Sequence, residues 1–92
     1  MKTYDANEVH SKLSDFKNWI HEGDAIEKTF ILNDFNEALA LIVRIGLVAE
    51  QADHHPEIYN VYNKVRIRLN THSAGGITDK DFDLAETIDA LV

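Results

Sequence analysis

The run from Ala38 to Ala49, ALALIVRIGLVA, is apolar on nearly every side, and only Arg44 interrupts it. A helix that rests on its own sheet alone keeps one polar face turned to water. This one lacks such a face, so it needs cover on two sides. A chain of 92 residues buries only about 60–65% of its unfolded surface, which leaves little material for a second covering layer. The outer side is therefore expected to meet another copy of the chain, in a homodimer or homotetramer. The run is also shorter than the roughly 20 apolar residues that span a bilayer. Met1 to Asp15 holds no apolar run of signal-peptide type, so no membrane association and a cytoplasmic location are expected.

Start and stop signals frame this helix. Asp34 is a good N-cap, and Glu37 three residues on completes a capping-box pattern. Pro56 pushes His55 out of the helical region and ends the helix near His54. Upstream, Val9, Leu13 and Phe16 recur at spacings of four and three, which predicts a short amphipathic helix over 7–16. A weak strand at Trp19–Ile20, a turn at Gly23-Asp24 and an alternating strand over 25–32 predict a hairpin. Ile26, Phe30 and Leu32 share one face of it, with Lys28 the exception.

Downstream, Val65, Ile67, Leu69 and Thr71 alternate strictly with Lys64, Arg66, Arg68 and Asn70. The strand-like stretch from Ile58 to Thr71 would span roughly 45 Å at ~3.3 Å per residue, too long for one straight strand here. A bend or bulge near Asn60–Asn63 is expected. After the Ala74-Gly75-Gly76 loop, Thr78 and Asp81 mark a second capping box, and Leu84, Ala85, Ile88, Leu91 and Val92 form the stripe of a last helix. The element order predicts a single α+β domain over residues 1–92, an antiparallel sheet of about four strands with three helices on one face.

Charge and composition narrow the function. With 16 acidic and 9 basic residues the formal charge is −7. A nucleic-acid reader concentrates positive charge on its contact face; here only Lys64, Arg66 and Arg68 group together, in the pattern of a solvated sheet face. No direct nucleic-acid contact is expected. The absence of cysteine excludes disulfides and thiolate metal sites.

Three of the five histidines sit where backbone geometry changes: His54 and His55 at the end of the long helix, and His72 at the end of the long strand. Glu50, Asp53 and Asp81 accompany them. If the strand end lies beside the helix end, these groups line one cleft. An imidazole has an unperturbed pKa of about 6.5, so its acid and base forms coexist near neutrality, and a carboxylate beside it orients the ring. General acid–base chemistry is the sharpest reading. Ordinary surface histidines at element ends are the bland one. A metal site is the third, though no HxH, HxxxH or HExxH spacing is present, and no metal is expected. His10 and His21 stand apart as surface residues.

The segment Glu50-Gln51-Ala52-Asp53-His54-His55-Pro56-Glu57, followed by Asn60-Val61-Tyr62-Asn63-Lys64-Val65, Thr71-His72 and Asp81, resembles the signature of the pterin-4a-carbinolamine dehydratase family. The similarity extends more loosely from Leu13 to the C-terminus, through Gly23-Asp24-Ala25-Ile26 and Asp34-Phe35-Asn36. Many relatives carry a Trp two residues after the proline, where this chain has Ile58. The resemblance implies dehydration of a 4a-hydroxytetrahydropterin to quinonoid dihydropterin, in the tetrahydrobiopterin recycling that serves aromatic amino-acid hydroxylases. The pterin is then the substrate, and no cofactor is implied. By the same resemblance His54, His55 and His72 are catalytic or ring-binding; we take His54 and His72 as the proton-transfer pair and His55 as a positioning residue, and leave open which is acid and which base. Asp53, Asn70, Thr71 and Ser73 flank the pterin, and Glu50 and Asp81 are supporting carboxylates. Some animal relatives also act as dimerisation cofactors of a homeodomain transcription factor through the apolar helix, which makes an interaction module the competing class. A relative that acts on a different pterin is a third.

Overall fold

Asp34 opens the central element: its carboxylate accepts the Glu37 N–H at 2.9 Å. From there helix α2 runs Phe35–Ala52 in the computed structural model, which describes Met1–Val92. The second half of the expected capping box is displaced by one residue. Glu37 accepts from the backbone N–H and side-chain amide of Asn33, at 2.9 and 3.2 Å, and not from Asp34. Asn33 offers two donors to the two carboxylate oxygens, and that bidentate grip outcompetes the single N–H of the cap.

One face of α2 is buried through Ala38, Leu41, Ile45 and Ala49, spaced by three and four as a core stripe requires. The opposite side is bare: Leu39, Val43 and Leu47 are 42%, 60% and 65% exposed. No helix is long and apolar enough to cross a membrane.

The sheet has four strands, β1 (Ile20–Glu22), β2 (Ala25–Ile31), β3 (Glu57–Val61) and β4 (Lys64–Leu69), in the spatial order β1-β2-β4-β3. Every neighbouring pair is antiparallel. Ile26 and Phe30 of β2 and Val65, Ile67 and Leu69 of β4 point to one face. There they form a single core with α2, with Val9 of α1 (Ala6–Leu13) and with Phe82, Leu84, Ala85 and Ile88 of α3 (Asp79–Asp89). This is the expected α+β architecture, with the helices on one side of an open sheet. Lys28 falls on the core face as its position in the alternation requires. It snorkels to Asp89 at 2.8 Å across the Phe30 ring, and Asp89 also accepts the Trp19 indole N–H at 3.0 Å.

Three boundaries differ from expectation. Helix α3 ends at Asp89, so Leu91 and Val92 lie beyond it and Val92 is exposed. Helix α1 ends at Leu13, where the N–H groups of Ser14, Asp15 and Phe16 turn to carbonyls three residues back. Phe16 still reaches the core, its ring 5.6 Å from that of Phe82, so the apolar periodicity outlasts the helix. The stretch from Ile58 to Thr71 is not one bent strand but the β3–β4 hairpin. Tyr62, at φ 50°, and Asn63 make its turn, and Val61 pairs with Lys64. A left-handed tyrosine gives no turn signal from composition. The turn is braced by Asn60, whose amide donates to Tyr62 O and Lys64 O at 3.1 and 2.9 Å.

The basic alternation on β4 lies on the open face, where Arg68 is ion-paired with neighbouring carboxylates. Arg68 reaches Glu27 at 3.0 Å, Asp24 at 3.1 Å and Glu57 at 3.5 Å, and its guanidinium is held above the usual arginine range chiefly by the bond to Glu27. Arg66 lies over the Tyr59 ring at 4.3 Å.

Candidate active site

The last turn of α2 fixes where the histidines go. Asp53 caps the helix in the left-handed conformation, φ 50° and ψ 44°. The N–H groups of Asp53 and His54 then fold back onto Glu50 O and Ala49 O, both at 3.1 Å. This C-terminal reversal satisfies carbonyls that the helix leaves free and turns His54 inward, to 8% exposure.

The hairpin brings the second histidine segment to the same end of the molecule. Glu57, the first residue of β3, pairs with Arg68 near the end of β4, so residues 53–56 and 70–73 share one end of the hairpin. After β4 the chain closes a tight loop. Thr71 N–H donates to Gly76 O at 2.8 Å, and Ala74 and Gly75 both return to Thr71 O at 3.0 Å. Gly75 takes φ 74°, a turn conformation that glycine adopts without strain. His72 is exposed on the 3₁₀ turn His72–Ala74 inside that loop.

Asp81 joins these segments. It is fully buried and lies in the first turn of α3, where the helix dipole favours an anion. His54 Nε2 lies 2.6 Å from Asp81 Oδ1. Thr71 Oγ1 and Thr78 N donate to Asp81 Oδ2, each at 2.9 Å. The proton inventory closes. Thr78 Oγ1 accepts the Lys80 N–H at 3.2 Å and lies 2.6 Å from Thr71 Oγ1, so its hydroxyl proton goes to Thr71, and the Thr71 proton goes to Asp81. Both oxygens of Asp81 act as acceptors. With Asp81 ionised, the proton between the His54 ring and Asp81 Oδ1 belongs to Nε2.

His55 has a partner of its own, Glu50 Oε1 at 2.7 Å from Nε2, but this pair stands in solvent, with side chains 61% and 78% exposed. Of the residues singled out in the sequence, the structure ties His54, Thr71 and Asp81 into one network and pairs His55 with Glu50. Asp53, Asn70, His72 and Ser73 take no part in the Asp81 network; they border it along the chain. His54 also edges a groove of 170 Å³ between α2 and α3, walled by Val48, Ala52, Lys80, Asp83, Leu84 and Thr87. No three His, Asp or Glu side chains are grouped as metal ligands. The sequence marks Thr78 as a cap alone. Its second role was signalled by the same Thr78–Asp81 spacing, because a capping-box carboxylate that is also buried must find further donors.

Comparison with known proteins bears directly on this arrangement. The family model for pterin 4 alpha carbinolamine dehydratase matches residues 2–91. The chain belongs to the pterin-4α-carbinolamine dehydratase family. A relative from Sulfurisphaera tokodaii, provisionally named a pterin-4-alpha-carbinolamine dehydratase, is 42% identical over all of this chain and 99% of its own length. Another from Roseiflexus castenholzii, with the same provisional name, is 45% identical over 92% of this chain and 91% of its own. Among solved structures, a transcriptional coactivator/pterin dehydratase from Brucella melitensis superposes with a TM-score of 0.89 at 33% identity, covering 97% of both chains. Within this dehydratase family fold, the His54–Asp81 network is the most enclosed polar cluster that holds a histidine.

Replacing Asp81 by Ala strands the Thr71 hydroxyl, the Thr78 N–H and the His54 ring together. Loss of a buried charged partner is expected to cost about 3–5 kcal/mol of unfolding free energy, read by urea denaturation. Asp81→Asn keeps the shape but offers one acceptor oxygen for donors on both sides, and should cost less. A cost below about 1 kcal/mol for Asp81→Ala would contradict the network.

Proposed function

We propose that the chain dehydrates a 4a-hydroxytetrahydropterin to the quinonoid dihydropterin plus water by histidine acid–base catalysis. The observation that carries this reading is the buried His54–Asp81 pair, set at the hairpin end that also bears His55 and His72, in a chain that the dehydratase family model matches almost throughout. In the reaction the C4a–O bond breaks, the hydroxyl leaves with an added proton as water, and N5 gives up its proton as the N5–C4a double bond forms. Electrons and charge balance with no oxidant, and two imidazoles in opposite protonation states suffice, each worth roughly 10²–10⁴-fold.

His54 suits the base: Asp81 fixes its tautomer and stabilises the imidazolium that forms. His72, exposed on its 3₁₀ turn, serves as the acid at the leaving hydroxyl. His55, held by Glu50, positions the ring, and Asp53, Asn70, Thr71 and Ser73 border the heterocycle. The supply of substrate falls to a hydroxylase that oxygenates a tetrahydropterin, which places the enzyme in tetrahydrobiopterin recycling.

A second reading has one observation in its favour. The stripe Leu39, Val43 and Leu47 is exposed along α2, and the Brucella structure is described as a coactivator as well as a dehydratase. The stripe reads most simply as the seam of a homodimer or homotetramer. A transcriptional partner on the same stripe is the alternative.

A carbinolamine generated chemically should lose water faster with the protein than without it, and His54→Ala and His72→Ala should each lower kcat by at least about tenfold. An unchanged spontaneous rate with wild-type protein would overturn the enzymatic reading. Light scattering should give a mass above that of one chain, and Val43→Glu with Leu47→Glu should return it to the monomer. A monomeric wild type would remove the self-association seam.

A further inference from the structure

The residues ahead of α1 lie against the segment that carries His72 and Asp81. Tyr4 N–H donates to Ile77 O at 2.8 Å. The Tyr4 hydroxyl donates to Asp79 Oδ1, and its ring meets Phe82 edge-on with centroids 5.2 Å apart. Thr3 lies 3.4 Å from where a side chain on Gly76 would begin, so the strap sits directly on the loop that Thr71 and Gly76 close. The strap is itself anchored. Asp5 and Glu8 cap the start of α1 reciprocally at 2.8 and 3.0 Å, Lys2 reaches Glu8 at 2.7 Å, and Val9 in the same helix is fully buried.

The placement of these grips matters more than their number. Ile77 and Asp79 flank Thr78, whose N–H and hydroxyl complete the Asp81 network. Tyr4 therefore holds the chain on both sides of the residue that sets how Thr71 and Asp81 meet. Release of Tyr4 frees the start of α3, and with it the position of Asp81 against His54 and of the loop that bears His72. The bond to Asp79 also pushes the Tyr4 phenol above its ordinary pKa, so it stays a donor throughout the neutral range.

We infer that Tyr4 is a positioning residue of the site, acting through Asp79 and Ile77 to hold the segment 71–81 in register with the end of α2. Its catalytic consequence rests on the dehydratase reading above; its structural consequence does not.

The test uses the full chain with Tyr4→Phe, which keeps the ring on Phe82 and the backbone bond to Ile77 but removes the hydroxyl, together with Asp79→Ala and the double variant. Steady-state kinetics and imidazole NMR signals of His54 and His72 are recorded for each. The expectation is a fall in kcat of about 3–10-fold with KM within about twofold. The double variant should be no worse than the poorer single one, as for two groups acting as a unit, and the histidine signals should move. Wild-type kcat with unmoved signals, even at a lowered melting temperature, would reduce Tyr4 to a structural clamp and overturn the inference. If wild-type protein shows no dehydration, the functional reading falls and the NMR signals alone decide: moved signals retain Tyr4 as a positioning residue, and unmoved ones remove it.

Discussion

A carboxylate with no exposed surface has to be satisfied on every side, and Asp81 meets that demand with its own cap, with Thr71 at the end of β4 and with His54 after α2. Burying such a group is costly without partners and tolerable with several charge-assisted hydrogen bonds. Its needs bind three elements together: the end of α2 through His54, the end of β4 through Thr71, and the start of α3 through its own backbone. The same bonds that relieve the buried charge orient an imidazole. Stability and site geometry here rest on one interaction.

The surrounding fold serves that junction. The left-handed Asp53 reverses the chain after α2 so that His54 points inward. The β3–β4 hairpin returns the chain to the same end, and the closed loop at Thr71–Gly76 carries His72 on its rim. Meanwhile α2 divides its duties. One face fills the core with Leu41 and Ile45, and the other presents Leu39, Val43 and Leu47 to whatever covers it.

Much of this was legible in the residues because the relevant signals were periodic or local. The core stripe of α2, the Leu84, Ala85 and Ile88 part of the α3 stripe, the strict alternation of β4 and the caps at Asp34 and Thr78 all survive in the structure. What could not be read depended on competition between neighbours or on unusual backbone. Asn33 drew Glu37 away from the cap because it offered two donors in place of one. Tyr62 turned the chain with a residue whose type does not announce a turn. The pairing of His54 with Asp81 required three dimensions: helical spacing puts Glu50 one turn before His54, yet the left-handed Asp53 ends the helix and Glu50 pairs with His55. Tyr4 gave no signal at all, because its partners at Ile77 and Asp79 lie at the other end of the chain.

The claim at the centre is that Asp81 holds His54 with its proton on Nε2 and its lone pair on Nδ1. Nitrogen-15 NMR of the histidine rings at neutral pH reads this state directly. A protonated Nε2 on His54, turning to the opposite tautomer or to an exchanging mixture in Asp81→Asn, is the predicted result. A His54 ring that carries its proton on Nδ1 in the wild-type protein would contradict it.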